Sequence, residues 1–369
     1  MDTPKTETVS GYRGTNARDS GIELFRILTM LLIVAHHFVV HSGIMQSVSA
    51  SPNALRSSFL LVFGAWGKTG INCFVLITGY FMCRSEITLK KFLKLLFEVE
   101  FYNVIFYCIF LSTGYESFSL NNMWRALLPF ADIGANFTQS YLLFYLFIPF
   151  LNILIRNLDE KKHALLALLC LFLYVGLGTL FNVVMNYVSW FIVLYFVASF
   201  VRLYPRKIFD GKLVWGLLTL ACVFLSIFTV LLRARSVNDP GLHGEGYYLY
   251  LFDSNKILAF LTALCAFMFF RNIHFYSRAV NICASATFGI LLLHDNCGSM
   301  RKWLWQDLLR VGSFYSSDLL PLYAIGTVLC VFLVCMAIEL IRLYLIEKPL
   351  FRLIQKKRAS EREIGQNPS

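Results

Sequence analysis

Long apolar runs separated by short polar stretches set the pattern of this chain. The runs fall at about residues 22–41, 59–83, 92–113, 138–156, 163–181, 185–204, 213–232, 255–271, 280–297 and 320–345. A helix needs about 20 apolar residues to cross the hydrocarbon core of a bilayer. The pattern therefore predicts an all-α, polytopic membrane protein with about ten transmembrane helices. The second and ninth runs carry the weakest signal. The second holds Trp66, Gly67, Lys68 and Gly70, and the ninth is short and ends in His294, Asp295 and Asn296.

The polar connections give the orientation. With the N-terminus in the cytoplasm, 22 of the 33 Lys and Arg residues fall in cytoplasmic segments and 7 in outer loops. Positive charge is retained on the inner side, and an even span count also returns the C-terminus there, so both termini are expected to be cytoplasmic. Residues 1–21 form a polar cytoplasmic tail without the layout of a cleaved signal, residues 22–350 the transmembrane domain, and residues 351–369 a basic cytoplasmic tail. Outer connections at about 114–137, 233–254 and 298–319 are long enough to cover a cavity, and the second is turn-rich, with Asn238, Asp239, Pro240, Gly241, Gly244 and Gly246.

Composition agrees with the pattern. Of 369 residues, 57% are hydrophobic and 15% charged, against about 25% charged in a soluble domain. The lipid bilayer is thus the first partner. A net charge of +11 could suggest nucleic acid, but the cations lie at the ends of apolar runs instead of on one polar face, so none is expected. The 10 cysteines sit almost entirely in or beside apolar runs and form no CxxC, which reads as helix packing and not as a disulfide framework. No P-loop, GxSxG elbow or HExxH occurs, and no metal is expected.

Charged groups inside spans cost about 2.5–3.5 kcal/mol each on insertion scales and so need a partner or a task. The first span holds the densest set. At 100° per residue, Glu23, Arg26, His37 and His41 share a sector of about 60°, whereas His36 points roughly 100° from His37. His37 lies about 16 Å deeper than Arg26 along the helix. One stripe thus leads from a cationic entrance to an imidazole in the interior, suited to general-base chemistry. The bland alternative is an interfacial Glu23–Arg26 pair with histidines bonded to neighbouring carbonyls.

Elsewhere, Lys68 and Asn72 lie one turn apart, Glu98 can pair with Lys94, and Lys90, Lys91 and Lys94 make a basic end suited to a phosphate-bearing ligand or simply to the inner interface. Trp190 and Tyr195 read as interfacial aromatics, and Glu339 with Arg342 as an i,i+3 pair. His294 could line a substrate path or cap the bundle. His41, Lys68, Asn72, Trp190 and His294 are the expected substrate-path residues.

Ile22-Glu23-Leu24-Phe25-Arg26-Ile27-Leu28, ending in Ala35-His36-His37-Phe38, resembles the first span of the membrane acyltransferase type 3 family, whose members O-acylate cell-surface glycans. Asn72 to Phe81, with Thr78-Gly79-Tyr80, is similar to the family's F-x-x-S-G-[FY] segment, with Thr78 in place of serine. Phe288 to His294 is similar to its late Y-L-x-H segment. Tyr187 to Tyr204 and Tyr141 to Asn152, with Pro149, also resemble family spans, so the likeness covers about residues 19–350. It implies that Arg26 and His37 match the functional arginine and histidine, with Glu23 as the acid before them. Lys91-x-x-Lys94, preceded by Arg84, stands where the family carries an Arg-x-x-Arg motif associated with the acyl-CoA donor. Lysine neutralises phosphate but lacks the bidentate fork of arginine. No soluble esterase-like domain is expected after the last span.

Together these readings lead to an acyltransferase of a bacterial inner membrane. It would move an acetyl or other short acyl group from cytosolic acyl-CoA to a hydroxyl of an extracytoplasmic glycan or lipid-linked saccharide. His37, Arg26 and Glu23 are the expected catalytic residues, and Arg26, Arg84, Lys91 and Lys94 the donor-binding ones. His37 would take the acceptor's proton or first accept the acyl group itself. The rivals are a transporter or flippase of a glycan or anionic substrate, and an integral glycan polymerase.

Overall fold

The computed structural model describes residues 19–128, 136–181, 183–236 and 244–354. Among the described residues the chain is helical, with no strand. Seven helices among the described residues are long and apolar enough to cross a membrane. They are α1 (Ser20–Val40), the broken segment Leu55–Met82, α4 (Leu89–Ser112), α5 (Phe137–Arg156), α6 (Glu160–Leu180), α8 (Lys212–Ser236) and the terminal Leu320–Ile354. The broken segment divides into α2 (Leu55–Phe63) and α3 (Gly67–Met82). Three apolar helices are shorter: α7 (Tyr187–Leu203), α9 (Ile257–Arg271) and the broken pair Arg278–His294.

Every apolar run of the sequence therefore folds as helix, but the expectation of about ten full spans is met by seven on length and composition. The two weakest runs are the broken ones. Gly64 closes α2 before Gly67 opens α3, and Ala286 divides α10 (Arg278–Ser285) from α11 (Thr287–His294). The first break sits against α1, where a Cβ on Gly67 would lie 2.3 Å from the His36 ring. Only glycine admits that approach. The terminal segment comprises α12 (Leu320–Ile341), a wider π turn at Arg342–Glu347 and helix through Ile354, past the boundary expected at residue 350. The tails before Asp19 and after Ile354, and the turn-rich stretch from Asn238 to Gly241, lie outside the described residues.

Side chains at the helix starts explain the boundaries. Asp19, Thr88, Asn136, Asp159, Asn186 and Ser277 each accept a hydrogen bond from a first-turn backbone N–H of the helix that follows, satisfying donors that helix geometry leaves unpaired. At the centre, α3 packs against α1, α7 and α9. The crossing window of Leu55–Met82 is 72% buried and that of α8 is 11% buried, so α3 belongs to the interior and α8 faces the surroundings. All ten cysteines are free; Cys73, Cys83, Cys265 and Cys335 are buried as the packing reading expects, whereas Cys108 and Cys330 are exposed.

Candidate functional site

The polar stripe of α1 meets α11 and the turn after it. His37 Nδ1 lies 2.9 Å from His294 Nε2, and His294 Nδ1 lies 2.6 Å from the Ile290 carbonyl oxygen. A carbonyl only accepts, so His294 Nδ1 carries the proton and, in neutral His294, Nε2 offers a lone pair. His37 Nδ1 then donates to it, and the far nitrogen of a neutral His37, Nε2, is an acceptor. That nitrogen is 3.6 Å from Asp295 Oδ2, while His41 Nε2 is 3.3 Å from Asp295 Oδ1. Arg301 Nε donates to the same oxygen at 2.6 Å. His36 turns away and bonds the Gly64 carbonyl at 2.6 Å, as the angular separation from His37 predicts.

Asp295 is the residue that sequence reasoning left out of the site. It was visible only as the neighbour of His294, and its tie to His37 and His41 arises from a helix end far along the chain. Ligand atoms of His37, His41 and Asp295 all lie within 4.8 Å of one another, close enough to hold a cation. Arg301 also supplies positive charge to that carboxylate.

At the N-terminal end of α1 a cavity of about 890 Å³ is lined by Glu23, Arg26, Lys91, Lys94, Thr78 and Tyr141, among others, within the range of about 300–1,000 Å³ usual for small-molecule sites. Arg26 Nη1 lies 3.3 Å from Glu23 Oε2, one turn away. The Thr78 hydroxyl donates to the Phe74 carbonyl and accepts from Tyr141. Arg278 and Lys348 add cations to the wall that sequence reasoning missed.

The expected donor cations are only partly assembled. Lys91 and Lys94 line this cavity, but Arg84 does not; its guanidinium donates to the Arg202 carbonyl at 3.3 Å. Lys94 pairs with Glu347 at 2.7 Å and not with Glu98 as expected, and Lys91 donates to Ser85 and the Glu86 carbonyl. Glu98 instead lies 3.5 Å from Arg342. The Glu339–Arg342 pair is present and extended: Arg342 also reaches Glu347 at 3.0 Å, and Tyr102 donates to Glu339 at 2.6 Å.

Of the expected path residues, His41 and His294 join His37, whereas Asn72 and Trp190 form a separate brace. Trp190 donates to Asn72 at 2.7 Å, and Asn72 donates to the Ser254 carbonyl at 2.7 Å. Lys68 donates to the Tyr187 hydroxyl at 2.6 Å and lies 3.9 Å from Asp253. These contacts tie α3, α7 and the segment before α9 together.

A family profile describing an acyltransferase domain matches residues 19–340. The chain belongs to the membrane acyltransferase type 3 family. No curated protein and no solved structure matches it. As a member of this family it is an integral membrane acyltransferase in general terms. For acyl transfer, the arrangement supplies an imidazole with one nitrogen fixed as donor and the other left as acceptor. That is the state a general base needs.

Proposed function

We propose that this acyltransferase moves an acetyl or other short acyl group from acyl-CoA, held in the cavity at the N-terminal end of α1, to a hydroxyl of a glycan or lipid-linked saccharide. The acceptor approaches from the opposite end. The basic-residue distribution supports a donor cavity on the cytoplasmic side and an acceptor on the outer side, and the membrane proposed is the inner membrane of a bacterial cell. The observation that carries the reading is the chain from the Ile290 carbonyl through His294 to His37, which leaves His37 Nε2 as a lone pair facing Asp295.

In this scheme Arg26, Lys91 and Lys94 bind the donor's phosphates, with Arg278 and Lys348 of the same lining contributing. Glu23 orients Arg26. Arg84 is left outside the donor site because it is not part of the cavity lining and donates to the Arg202 carbonyl. His37 Nε2 takes the proton of the acceptor hydroxyl as its oxygen attacks the thioester carbonyl carbon. The C–S bond breaks, the CoA sulfur leaves as thiolate and is protonated by water in the donor cavity, and the new C–O ester stays with the acceptor. Asp295 stabilises the imidazolium, and the proton leaves by way of Asp295 and His41.

The test uses purified protein in lipid nanodiscs with acetyl-CoA and a surface-glycan extract, following thiol release and the acceptor's gain of one acetyl mass. Release of thiol with that gain is expected. An intact thioester alongside substrate movement across vesicles would assign the chain to transport, and polymer growth indifferent to acyl-CoA would assign it to glycan polymerisation.

A further inference from the structure

A second cavity, of about 370 Å³, opens at the C-terminal end of α1, the end opposite the donor cavity. Its wall is rich in side-chain amides: Asn103, Asn122, Asn136, Gln139 and Asn296. An amide offers both donor and acceptor atoms, which matches a hydroxyl that also does both. Asn296 donates to Asn103 at 3.0 Å, and Asn103 in turn bonds the Glu100 carboxylate, so the pair keeps the Asn296 amide oxygen for a further bond. Asn136 caps α5 through its oxygen, which leaves its NH2 group for the cavity side. Tyr107 also lines the wall, and its buried hydroxyl has no hydrogen-bond partner among the described residues. A buried hydroxyl of that kind is destabilising unless something satisfies it. Phe110, Val99 and Leu292 supply an apolar patch beside these groups.

Charge narrows the occupant. Arg301 faces the cavity but is held by Asp295 at 2.6 Å, and Glu116, in the same wall, accepts from Ser299. The carboxylate of Glu116 disfavours an anion, and Arg125 and Arg301 disfavour a cation. A hydroxyl-rich uncharged molecule with one apolar face fits the wall best. The cavity also adjoins the chemistry. Arg301 is bonded to the carboxylate that lies 3.6 Å from His37 Nε2, and Asn296 follows that aspartate in the chain.

Resting on the acyl-transfer reading, we infer that this amide-lined cavity is the acceptor subsite and that it takes an uncharged saccharide ring, presenting one hydroxyl toward Asp295 and His37. The full-length protein in nanodiscs is tested by saturation-transfer NMR with free glucose and N-acetylglucosamine as neutral probes and glucuronate as the anionic one. Saturation of the neutral sugars that weakens at least tenfold in Asn122→Leu and Asn103→Leu, and persists in Ser112→Leu outside the cavity, is the expected result. Equal saturation in wild type and both cavity variants, preference for glucuronate, or no saturation of any sugar overturns the assignment. Asn122 sits on the short surface helix Leu120–Leu127, so its variant carries the test if Asn103→Leu does not fold. Thiol release from acetyl-CoA in the same preparation separates the two readings. Release without sugar contact removes the subsite alone, and sugar contact with an intact thioester removes acyl transfer while leaving the saccharide site.

Discussion

Replacing His37 with Ala removes the nitrogen that faces Asp295, and acyl transfer is expected to fall by roughly 10²–10⁴-fold with the protein still folded in the membrane. Thiol release in nanodiscs measures this, and wild-type rates in the variant would remove His37 from the mechanism. His294 acts through His37 and is a positioning residue. Its substitution by Ala frees His37 to hold its proton on either nitrogen, so kcat is expected to drop by about tenfold or more, with a changed pH profile and little change in donor KM. His294→Asn, which can still accept from His37 Nδ1, is expected to recover part of the loss. Helical periodicity alone made the Arg26–His37 stripe legible, because both residues sit on one helix whose phase is fixed at 3.6 residues per turn. Asp295 and Arg301 were not legible as site residues. Their contacts with α1 depend on how α11 packs and where it ends, and no local pattern encodes that.

Where helices meet, the same logic applies to buried charge. Arg342 on the last segment is surrounded by Glu98, Glu339 and Glu347, and a Cβ on Gly289 of α11 would sit 2.3 Å from the Glu339 carboxyl carbon. Gly289→Ala is therefore expected to cost about 1–3 kcal/mol by overpacking, read as a lower unfolding temperature in detergent. Arg342→Met leaves those carboxylates without their shared cation, and breaking a buried pair in this way costs about 3–5 kcal/mol. Little folded protein is expected on size exclusion, while Arg342→Lys restores part of the yield. The i,i+3 pair within this cluster was readable from spacing. Glu98 and Glu347 joining it was not, because α4 reaches Arg342 only through tertiary packing and the π turn rotates Glu347 inward. The helix breaks at Gly64 and Ala286 were foreshadowed by weak apolar runs, though nothing local said that His36 would occupy the space beside Gly67.

For the whole molecule, the membrane class was plain from composition, since 15% charge over 369 residues leaves too little polar surface for a water-soluble fold. Orientation rests on the basic residues, and epitope tags at both ends are expected to react with antibody only after the cytoplasmic side of intact cells is opened. A tag accessible from outside would reverse the assignment of the two cavities. Those cavities were not legible in the sequence, because their walls combine residues from helices far apart in the chain. They lie at opposite ends of α1, and neither is lined by His37, His294 or Asp295. The imidazole layer is a bulkhead, with the nucleotide on one side and the sugar on the other, and the acyl group is handed from sulfur to oxygen across it. The consequence is electrical: the acceptor's proton is given up on one side and the thiolate's taken up on the other, so each turnover moves one positive charge outward, and vesicles carrying this protein are expected to build a potential, positive on the acceptor side, only while both substrates are being turned over.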